Sequence, residues 1–245
     1  MELASAIITD PADAEWIDAA ERDNLPAGVK VKILSEDPDT GRKDMYVYFE
    51  PGYLEPRHTH IGQHSDVLLE GRWIIEGIEV GPGGYIYGPP NVPHGPFECP
   101  DGCLVFASFV GNTRHEWPPT SQDESSARRE ERVIVDFNAL PWEDGAELLS
   151  LPQGVQVKIY SQDEQTQRTD LVVRFPKGYV EPEHTHASSH SSVLVSGRWK
   201  VQGREMGPGS HIYGPANVPH GPVQALEDCI IYGSSYGSLK HQLRS

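Results

Sequence analysis

Eight of the eleven histidines fall into two sets with identical spacing. Each set has the pattern HxHxxxH, followed by one more histidine 30 residues after the third. The sets are His58, His60, His64 and His94, and His184, His186, His190 and His220. Imidazole is a ligand for divalent Fe, Cu, Ni and Zn. We therefore predict that each set binds one divalent metal ion, two per chain. The histidines outside the sets are predicted not to be ligands: His115, His211 and His241.

The spacing within one set predicts how its histidines converge. Two residues apart on an extended segment, His58 and His60 face the same side of a sheet, about 7 Å apart along the backbone. On a straight strand His64 would lie about 20 Å beyond His58, so we predict a bend at residues 61–63. His94 follows the turn sequence GPPNVP, which feeds it in from another strand.

The chain repeats itself with a constant offset of 126 residues. EPEHTHASSH at 181–190 restates EPRHTHIGQH at 55–64, and NVPHGP occurs at both 91–96 and 217–222. The weakest match is a polar, charged and proline-bearing stretch, as in linkers. We predict two tandem domains, residues 1–112 and 127–245, joined by a linker at 113–126.

Short runs rich in β-branched and aromatic residues indicate an all-β fold for each copy. They are VKVKIL, MYVYF, SDVLLEG and CLVFASFV, matched by VQVKIY, DLVVRF, SSVLVSG and CIIYGSSY. Such runs, bounded by Gly, Pro and Asp, predict an antiparallel barrel or sandwich. Only the segments around Trp16 and Trp142 are expected to be helical, and briefly.

The composition excludes several partners. A formal net charge of −16 disfavours nucleic acid and anionic membrane surfaces, which would repel the chain. No stretch approaches the roughly 20 apolar residues that span a bilayer, and no secretion signal is recognisable. We therefore expect a cytoplasmic protein. Its three cysteines (Cys99, Cys103 and Cys229) are expected to be reduced.

The motifs carry a resemblance to the cupins, and the whole chain resembles a bicupin. The family's first motif is met by Gly52, His58, His60, position 64 and Gly71, and again by Gly178, His184, His186, position 190 and Gly197. Its second motif is met by Gly83, Pro89, Asn91 and His94, and by Gly209, Pro215, Asn217 and His220. The resemblance implies two jelly-roll-like β-barrels with metal pockets. We also expect a pseudo-dimer within one chain, from which a homodimer can assemble.

Two departures from the family pattern matter. Asn91 and Asn217 stand where the family usually has glycine, and since asparagine tolerates the left-handed region, the turn should survive. His64 and His190 occupy the family's glutamate position. Four neutral imidazoles would leave the charge of a metal ion uncompensated, so we expect the site to favour an anionic ligand.

The run from LLEGRW to NVPHGP is similar to that of 2,4'-dihydroxyacetophenone dioxygenase, diketone-cleaving dioxygenases and the cupin of certain anti-sigma factors. This resemblance implies a non-haem Fe(II) dioxygenase that cleaves a carbon–carbon bond in a small β-diketone or hydroxyketone with O₂. Four histidines leave at most two open octahedral positions, enough for this mechanism. No further catalytic residue is assigned.

Two other functions fit the same ligands. A Zn, Ni or Mn centre would act as Lewis acid for an isomerase, lyase or hydrolase. Four histidines around zinc would nearly close a tetrahedral site, as expected for a non-catalytic metal-binding or sensor protein. Fe(II) is favoured by the resemblance alone, and Zn, Ni, Cu and Mn remain open.

Overall fold

The computed structural model describes residues 5–20, 24–117, 133–149, 151–164, 167–237 and 242–243. The described chain is nearly all β-structure, which confirms the predicted fold class. It divides into two compact units, one of Ala14–Ala139 and one of Met1–Asp13 with Leu140–Ser245. Most of the predicted linker, from residue 118 onward, lies outside the described residues.

Fourteen strands are described up to residue 135. They are β1 (Ile7–Thr9), β2 (Ile17–Asp18), β3 (Val29–Asp37), β4 (Arg42–Phe49), β5 (Tyr53–Glu55), β6 (Thr59–His60), β7 (Gln63–Gly71), β8 (Trp73–Ile75), β9 (Ile78–Val80), β10 (Tyr85–Gly88), β11 (Phe97–Cys99), β12 (Cys103–Val110), β13 (His115–Glu116) and β14 (Val133–Val135). Strands β3, β4, β7 and β12 contain the four runs predicted from the first copy.

The second copy repeats this series. Its strands are β15 (Glu143–Asp144), β16 (Gln156–Gln162), β17 (Arg168–Phe175), β18 (Val180–Glu181), β19 (His184–Thr185), β20 (His190–Ser196), β21 (Trp199–Val201), β22 (Arg204–Met206), β23 (His211–Gly214), β24 (Val223–Ala225), β25 (Cys229–Tyr236) and β26 (Gln242–Leu243). The described helical segments are two 3-10 turns, Pro11–Asp13 and Phe137–Ala139, and one short helix, α1 (Gly145–Leu149).

Each unit contains one large and two small antiparallel sheets. In the N-terminal unit the large sheet has the order β14-β10-β7-β12-β4-β3-β2, beside β5-β11-β8-β9 and the pair β13-β6. In the C-terminal unit the corresponding orders are β1-β23-β20-β25-β17-β16-β15, β18-β24-β21-β22 and β19-β26. The two orders match strand for strand, so the sequence repeat is also a repeat of topology.

The strands form a barrel because alternate side chains are apolar and face one core. In β4, Met45, Val47 and Phe49 alternate and join the N-terminal core cluster with Trp73 of β8 and Val105 of β12. This two-residue period is that of a strand with one face buried. The equivalent C-terminal cluster contains Phe175, Trp199 and Ile231. The histidines of the first set line one cavity together with core residues such as Val47 and Trp73.

One outer strand of each large sheet comes from the part of the sequence that the repeat assigns to the other copy. β1, at the start of the chain, pairs with β23 from Ile7↔Tyr213 to Thr9↔His211. β14 pairs with β10 from Tyr85↔Val135 to Tyr87↔Val133. Segments assigned to one copy by the repeat thus complete a sheet of the other.

The cysteine prediction is wrong for two of the three residues. Cys99 and Cys103 form a disulfide. Cys99 ends β11 and Cys103 begins β12, so the connecting turn holds their Cα atoms 5.9 Å apart, within the range that a disulfide spans. Cys229 is a buried free thiol, as predicted, and Ala225 stands at the position equivalent to Cys99.

The prediction of brief helices around Trp16 and Trp142 is confirmed only in part, because a two-residue strand directly follows each tryptophan. A 3-10 turn precedes Trp16 and another precedes Trp142, while α1 follows Trp142. Trp16 is 44% exposed, with Tyr48 against its edge and Lys32 over its ring. No helix among the described residues is long and apolar enough to cross a membrane.

Candidate metal centres

A backbone bridge joins the two histidine motifs of each unit. The amide of His58 donates to the carbonyl of His94 at 3.0 Å, and the amide of His94 donates back at 2.9 Å. His184 and His220 make the same reciprocal pair, both bonds at 3.0 Å. We call the clusters the N-site (His58, His60, His64 and His94) and the C-site (His184, His186, His190 and His220). The bridge brings residues 36 positions apart in sequence into one pocket.

The turn before the last histidine is held by an asparagine in the left-handed region. Asn91 has φ 57° and its amide donates to the carbonyl of His60 at 2.7 Å. Asn217 has φ 60° and makes the same bond to His186, also at 2.7 Å. The prediction that asparagine preserves this turn is confirmed.

His64 returns to the cluster because the chain bends before it, as predicted. A bend at residues 61–62 separates β6 from β7. Gly62 lies so close to β12 that a Cβ there would approach the carbonyl of Val110 at 2.6 Å. On the neighbouring strand, Gly88 pairs with His64, and a Cβ at Gly88 would collide with Nε2 of His64. Gly214 leaves the same space for His190.

Hydrogen bonds orient the N-site imidazoles. Nδ1 of His58 donates to the carbonyl of Pro56 at 2.9 Å, and Nδ1 of His94 donates to that of Val92 at 3.0 Å. Since a carbonyl only accepts, these bonds assign the proton to Nδ1 and leave Nε2 as the donor atom for a metal. Nε2 of His58 lies 3.1 Å from Nε2 of His60.

Within the N-site, His64 contacts His94. Donor atoms of His58, His60 and His94 all lie within 4.8 Å of one another. Nε2 of His64 lies 3.3 Å from Nε2 of His94, and its Nδ1 is 2.7 Å from Oδ2 of Asp66. A carboxylate behind a ligating histidine is a common arrangement that fixes the ring and raises its basicity. The assignment of His64 as fourth ligand stays a prediction.

The C-site repeats the same arrangement of donors. His184, His186 and His220 have donor atoms within 4.8 Å of one another, and Nε2 of His184 lies 3.1 Å from that of His186. Nδ1 of His184 and of His220 donate to the carbonyls two residues earlier, at 2.8 and 3.0 Å. The centroid of the His190 ring lies 4.4 Å from that of the His186 ring and 4.7 Å from that of the His220 ring.

Burial favours the neutral form of four of these imidazoles, those of His58, His60, His94 and His220. It lowers the pKa of His58 to about 4 and holds the pKa values of His60 and His94 well below the usual value. Burial also lowers the pKa of His220. Neutral imidazole is the form that binds a metal ion.

The spacing of the donors fits a divalent ion. With a metal–nitrogen distance of about 2.1 Å, adjacent ligands on an octahedral or tetrahedral ion lie about 3.0–3.4 Å apart. The Nε2 pairs of 3.1 and 3.3 Å in the N-site fall in this range. In the C-site, Nε2 of His220 is buried and has no hydrogen-bond partner among the described residues. Both donor sets therefore suit a metal ion.

Two residues outside the predicted set also belong to the N-site. Oε1 of Glu55 lies 3.0 Å from Nε2 of His58 and 3.0 Å from Nε2 of His115. Tyr53 Oη donates to Oε2 of Glu55 at 2.8 Å. Since β13 pairs with β6, His115 lies opposite His60. A carboxylate is thus present where the sequence led us to expect only neutral donors.

The sequence carried a signal for both residues. Glu55 and Glu181 open the repeated segments EPRH and EPEH, three residues before the HxH pair. His115 also has a histidine at the repeat offset, His241, which the sequence prediction overlooked. His241 lies outside the described residues, and His211 is buried in β23 and belongs to no potential metal group among them.

Each cluster opens on a small cavity inside its barrel. The N-site cavity measures about 80 Å³ and the C-site cavity about 100 Å³. Beside the histidines and Glu55, the N-site cavity is lined mainly by apolar side chains, including Val47, Phe97 and Phe109. Ser191, Ser192 and Ser234 line the C-site cavity. The two cavities hold the same donors in different surroundings.

Comparison with known proteins supports the family resemblance. The family model of the ChrR cupin-like domain matches residues 4–111 and 130–240. No curated protein is similar enough in sequence to match the chain.

Several solved structures share the two-barrel architecture. A protein from Nostoc punctiforme described as "a putative dioxygenase" has a TM-score of 0.81 at 12% identity, over 99% of this chain and 88% of that one. Oxalate decarboxylase from Lactobacillus farciminis has a TM-score of 0.65 at 14% identity, over 98% and 89%. Protein YlbA from E. coli has a TM-score of 0.66 at 14% identity, over 96% and 93%. At these identities the similarity shows the fold alone.

Proposed function

We propose a function from one premise: the chain belongs to the ChrR cupin-like family, with two such domains. The function is that of a non-haem Fe(II) dioxygenase, which cleaves a carbon–carbon bond of a small β-diketone or hydroxyketone with O₂. The observation that carries the proposal is the convergence of neutral Nε2 donors at one end of a small apolar cavity. We assign catalysis to the N-site and a second metal ion to the C-site.

The N-site histidines would hold the ion. His58, His60 and His94 present donor atoms within 4.8 Å of one another, and His64 adds a fourth from the side of Asp66. A bound Fe(II) supplies Lewis acidity toward substrate oxygens and one-electron chemistry toward O₂.

The walls of the cavity select the substrate. Val47, Phe97 and Phe109 offer no hydrogen bonds, so the carbon skeleton of the substrate packs against them while its oxygens point to the histidines. The same walls exclude water from the reacting atoms. The small size of the cavity, about 80 Å³, favours a small substrate. These features favour a compact ketone over a long or highly charged molecule.

The reaction balances without an external reductant. Cleavage of a β-diketone by O₂ yields one carboxylic acid and one 1,2-dicarbonyl compound. The two products together contain both atoms of O₂, and the four electrons that reduce O₂ come from the substrate.

The experiment begins with elemental analysis of protein purified without air, followed by reconstitution with Fe(II). A panel of β-diketones and hydroxyketones is then added while O₂ is monitored with an electrode. We expect consumption of one O₂ per substrate cleaved, with both products seen by mass spectrometry. Zn(II)-loaded protein is the matched control and should consume none.

Two substitutions localise the activity. His58→Ala should abolish O₂ uptake, whereas His184→Ala, its equivalent in the second domain, should leave it. Zinc as the purified metal, together with no O₂ uptake across the panel by Fe(II)-loaded protein, would contradict the proposal. That result would favour a Lewis-acid isomerase, lyase or hydrolase. If no turnover of any kind accompanied tight zinc binding, a metal-binding or sensor role would be favoured.

A further inference from the structure

Two groups that accept hydrogen bonds lie in contact in the N-site, Nε2 of His58 and the carboxylate of Glu55. Nδ1 of His58 donates to the carbonyl of Pro56, so Nε2 of the neutral ring carries a lone pair. That atom lies 3.0 Å from Oε1 of Glu55, a carboxylate oxygen. The lone pair of Nε2 and the carboxylate oxygen repel each other at this separation unless a proton or a metal ion lies between them. Both atoms are buried, since the side chains are 3% and 5% exposed, so water does not screen the repulsion.

A single ion bound by Nε2 of His58 can be shared by His60, His94 and Glu55. One potential group consists of His58, His60 and His94, and another of Glu55, His58 and His115. His58 belongs to both, but its Nδ1 is occupied by Pro56 and only Nε2 remains for a metal. One nitrogen lone pair binds one ion, so the two groups cannot hold separate ions at the same time. Glu55 therefore points at the same ion as the histidines.

We propose that Glu55 is the anionic ligand of the N-site metal ion. It supplies from β5 the negative charge that the family places at position 64, where this chain has a histidine. The proposal rests on the metal site of the proposed function and adds a donor to it. Its Oε1 lies 3.0 Å from Nε2 of His58, the separation of adjacent ligands on a metal ion of ordinary size.

Two neighbours hold the carboxylate in place. Tyr53 donates to Oε2 at 2.8 Å, and Nε2 of His115 lies 3.0 Å from Oε1. The main chain of His115 is itself held, since Nδ2 of Asn24 donates to its carbonyl at 2.9 Å. These are positioning residues, which orient Glu55 as outer residues commonly orient metal ligands.

The C-terminal unit provides a matched comparison. Glu181 is the equivalent of Glu55, but its Oε2 lies 4.0 Å from Nε2 of His184. Tyr179, the equivalent of Tyr53, has a buried hydroxyl without a hydrogen-bond partner among the described residues. The equivalent carboxylates therefore lie at different distances from the first histidine of the HxH pair, 3.0 Å in one unit and 4.0 Å in the other.

The proposal has a consequence for substrate binding. Four histidines and Glu55 leave one position on an octahedral ion. A ketone that binds through two oxygens must then displace one donor. Glu55 is suited to leave because Tyr53 and His115 already hydrogen-bond its carboxylate.

The test measures Co(II) binding by the full-length chain. The variants His184→Ala and His186→Ala, combined, disable the C-site, so that one ion remains. In this background we expect Glu55→Gln to lower Co(II) affinity by at least about 10- to 100-fold. The visible Co(II) spectrum should also change, because one ligand has gone. Glu181→Gln, the matched control in the same background, should change neither.

A second measurement covers the case in which Glu55→Gln does not fold. Infrared difference spectra, taken on adding Zn(II) to the C-site-disabled chain, should show a shifted carboxylate stretch. The absence of that shift would overturn the proposal, as would unchanged affinity and spectrum in a folded Glu55→Gln variant. Either result leaves the proposed function standing if the Fe(II)-loaded chain still consumes O₂. If metal binding depended on Glu55 as expected but the Fe(II)-loaded chain consumed no O₂, the proposed function would be contradicted and this inference would stand.

Discussion

The two candidate metal centres each have four histidines in the same backbone frame, yet their surroundings differ. Phe109, whose ring stacks on His64 at 5.3 Å, is replaced by Ser235, and Asp66, which bonds His64, is replaced by Ser192. Ala107 is likewise replaced by the smaller Gly233 at the equivalent position of the second copy. The backbone repeat thus preserves the donors, while single side chains decide which molecules can approach them.

The equivalent carboxylates Glu55 and Glu181 also differ between the two sites, in the direction of their pKa shifts. Burial acts to raise the pKa of Glu55, but the electrostatic interaction and hydrogen bond with His115, together with the hydrogen bond from Tyr53, outweigh it, so the net pKa is lowered. Burial raises the pKa of Glu181 to about 7. At this one sequence position burial alone raises the pKa of Glu181, whereas the interactions of Glu55 with His115 and Tyr53 more than offset its burial.

The largest effect is expected from removing the HxH pair of one site at a time, which tests whether each site binds its own metal ion. The double variant His58→Ala/His60→Ala should lower the metal content from two ions per chain to one, since only His64 and His94 remain of the four histidines. The variant His184→Ala/His186→Ala should do the same through the C-site. Elemental analysis after reconstitution measures the content. A wild-type content of one ion or fewer, with Fe(II), Zn and Ni in turn, would contradict a competent second site.

A methyl group at either pocket glycine should have the next largest effect. Gly88→Ala and Gly214→Ala place a Cβ against the rings of His64 and His190, so the ring or the strand must move. We expect a loss of about 1–3 kcal/mol in unfolding free energy, with weaker metal binding in the same unit. Urea denaturation measures the first quantity.

The matched controls are Gly81→Ala and Gly207→Ala, where a Cβ would meet nothing within 4 Å. Equal losses in all four variants would show that the pocket glycines are not specifically required.

Removing His64 should weaken metal binding by about 10- to 100-fold without unfolding the barrel. The remaining His58, His60 and His94 still form a three-histidine face. His64→Glu should retain the ion, because it restores the family's usual carboxylate at this position. Isothermal titration with Zn(II) measures the affinity, and circular dichroism checks the fold. Unchanged affinity in His64→Ala would exclude His64 as a ligand.

The smallest effect is expected from the residue behind His64. Asp66→Asn removes the charge that orients Nδ1 of His64 at 2.7 Å, and N-site affinity should fall by about tenfold. Ser192→Ala, at the equivalent position, should alter C-site affinity less than this. If both substitutions had the same effect, the asymmetry between the two centres would not extend to their metal affinities.

Much of the site was predictable because its parts are local in sequence. The HxH spacing follows from the two-residue period of a strand, and the bend before His64 follows from the distance that a straight strand would impose. Glu55 and His115 were missed because they do not belong to the histidine pattern. Glu55 precedes it by three residues, and His115 enters only through the pairing of β13 with β6.

The sequence by itself determined the repeat, the strands and the eight histidines, because these depend on periodicity and on residue type. Only the tertiary structure decided the Cys99–Cys103 disulfide, the pairing of β1 with the second copy, and the contact of Glu55 with His58. Each of these depends on a distance across the fold that no local pattern specifies. The charge of a metal site is set by such distances, since a carboxylate at 3.0 Å and one at 4.0 Å differ in what they can bind.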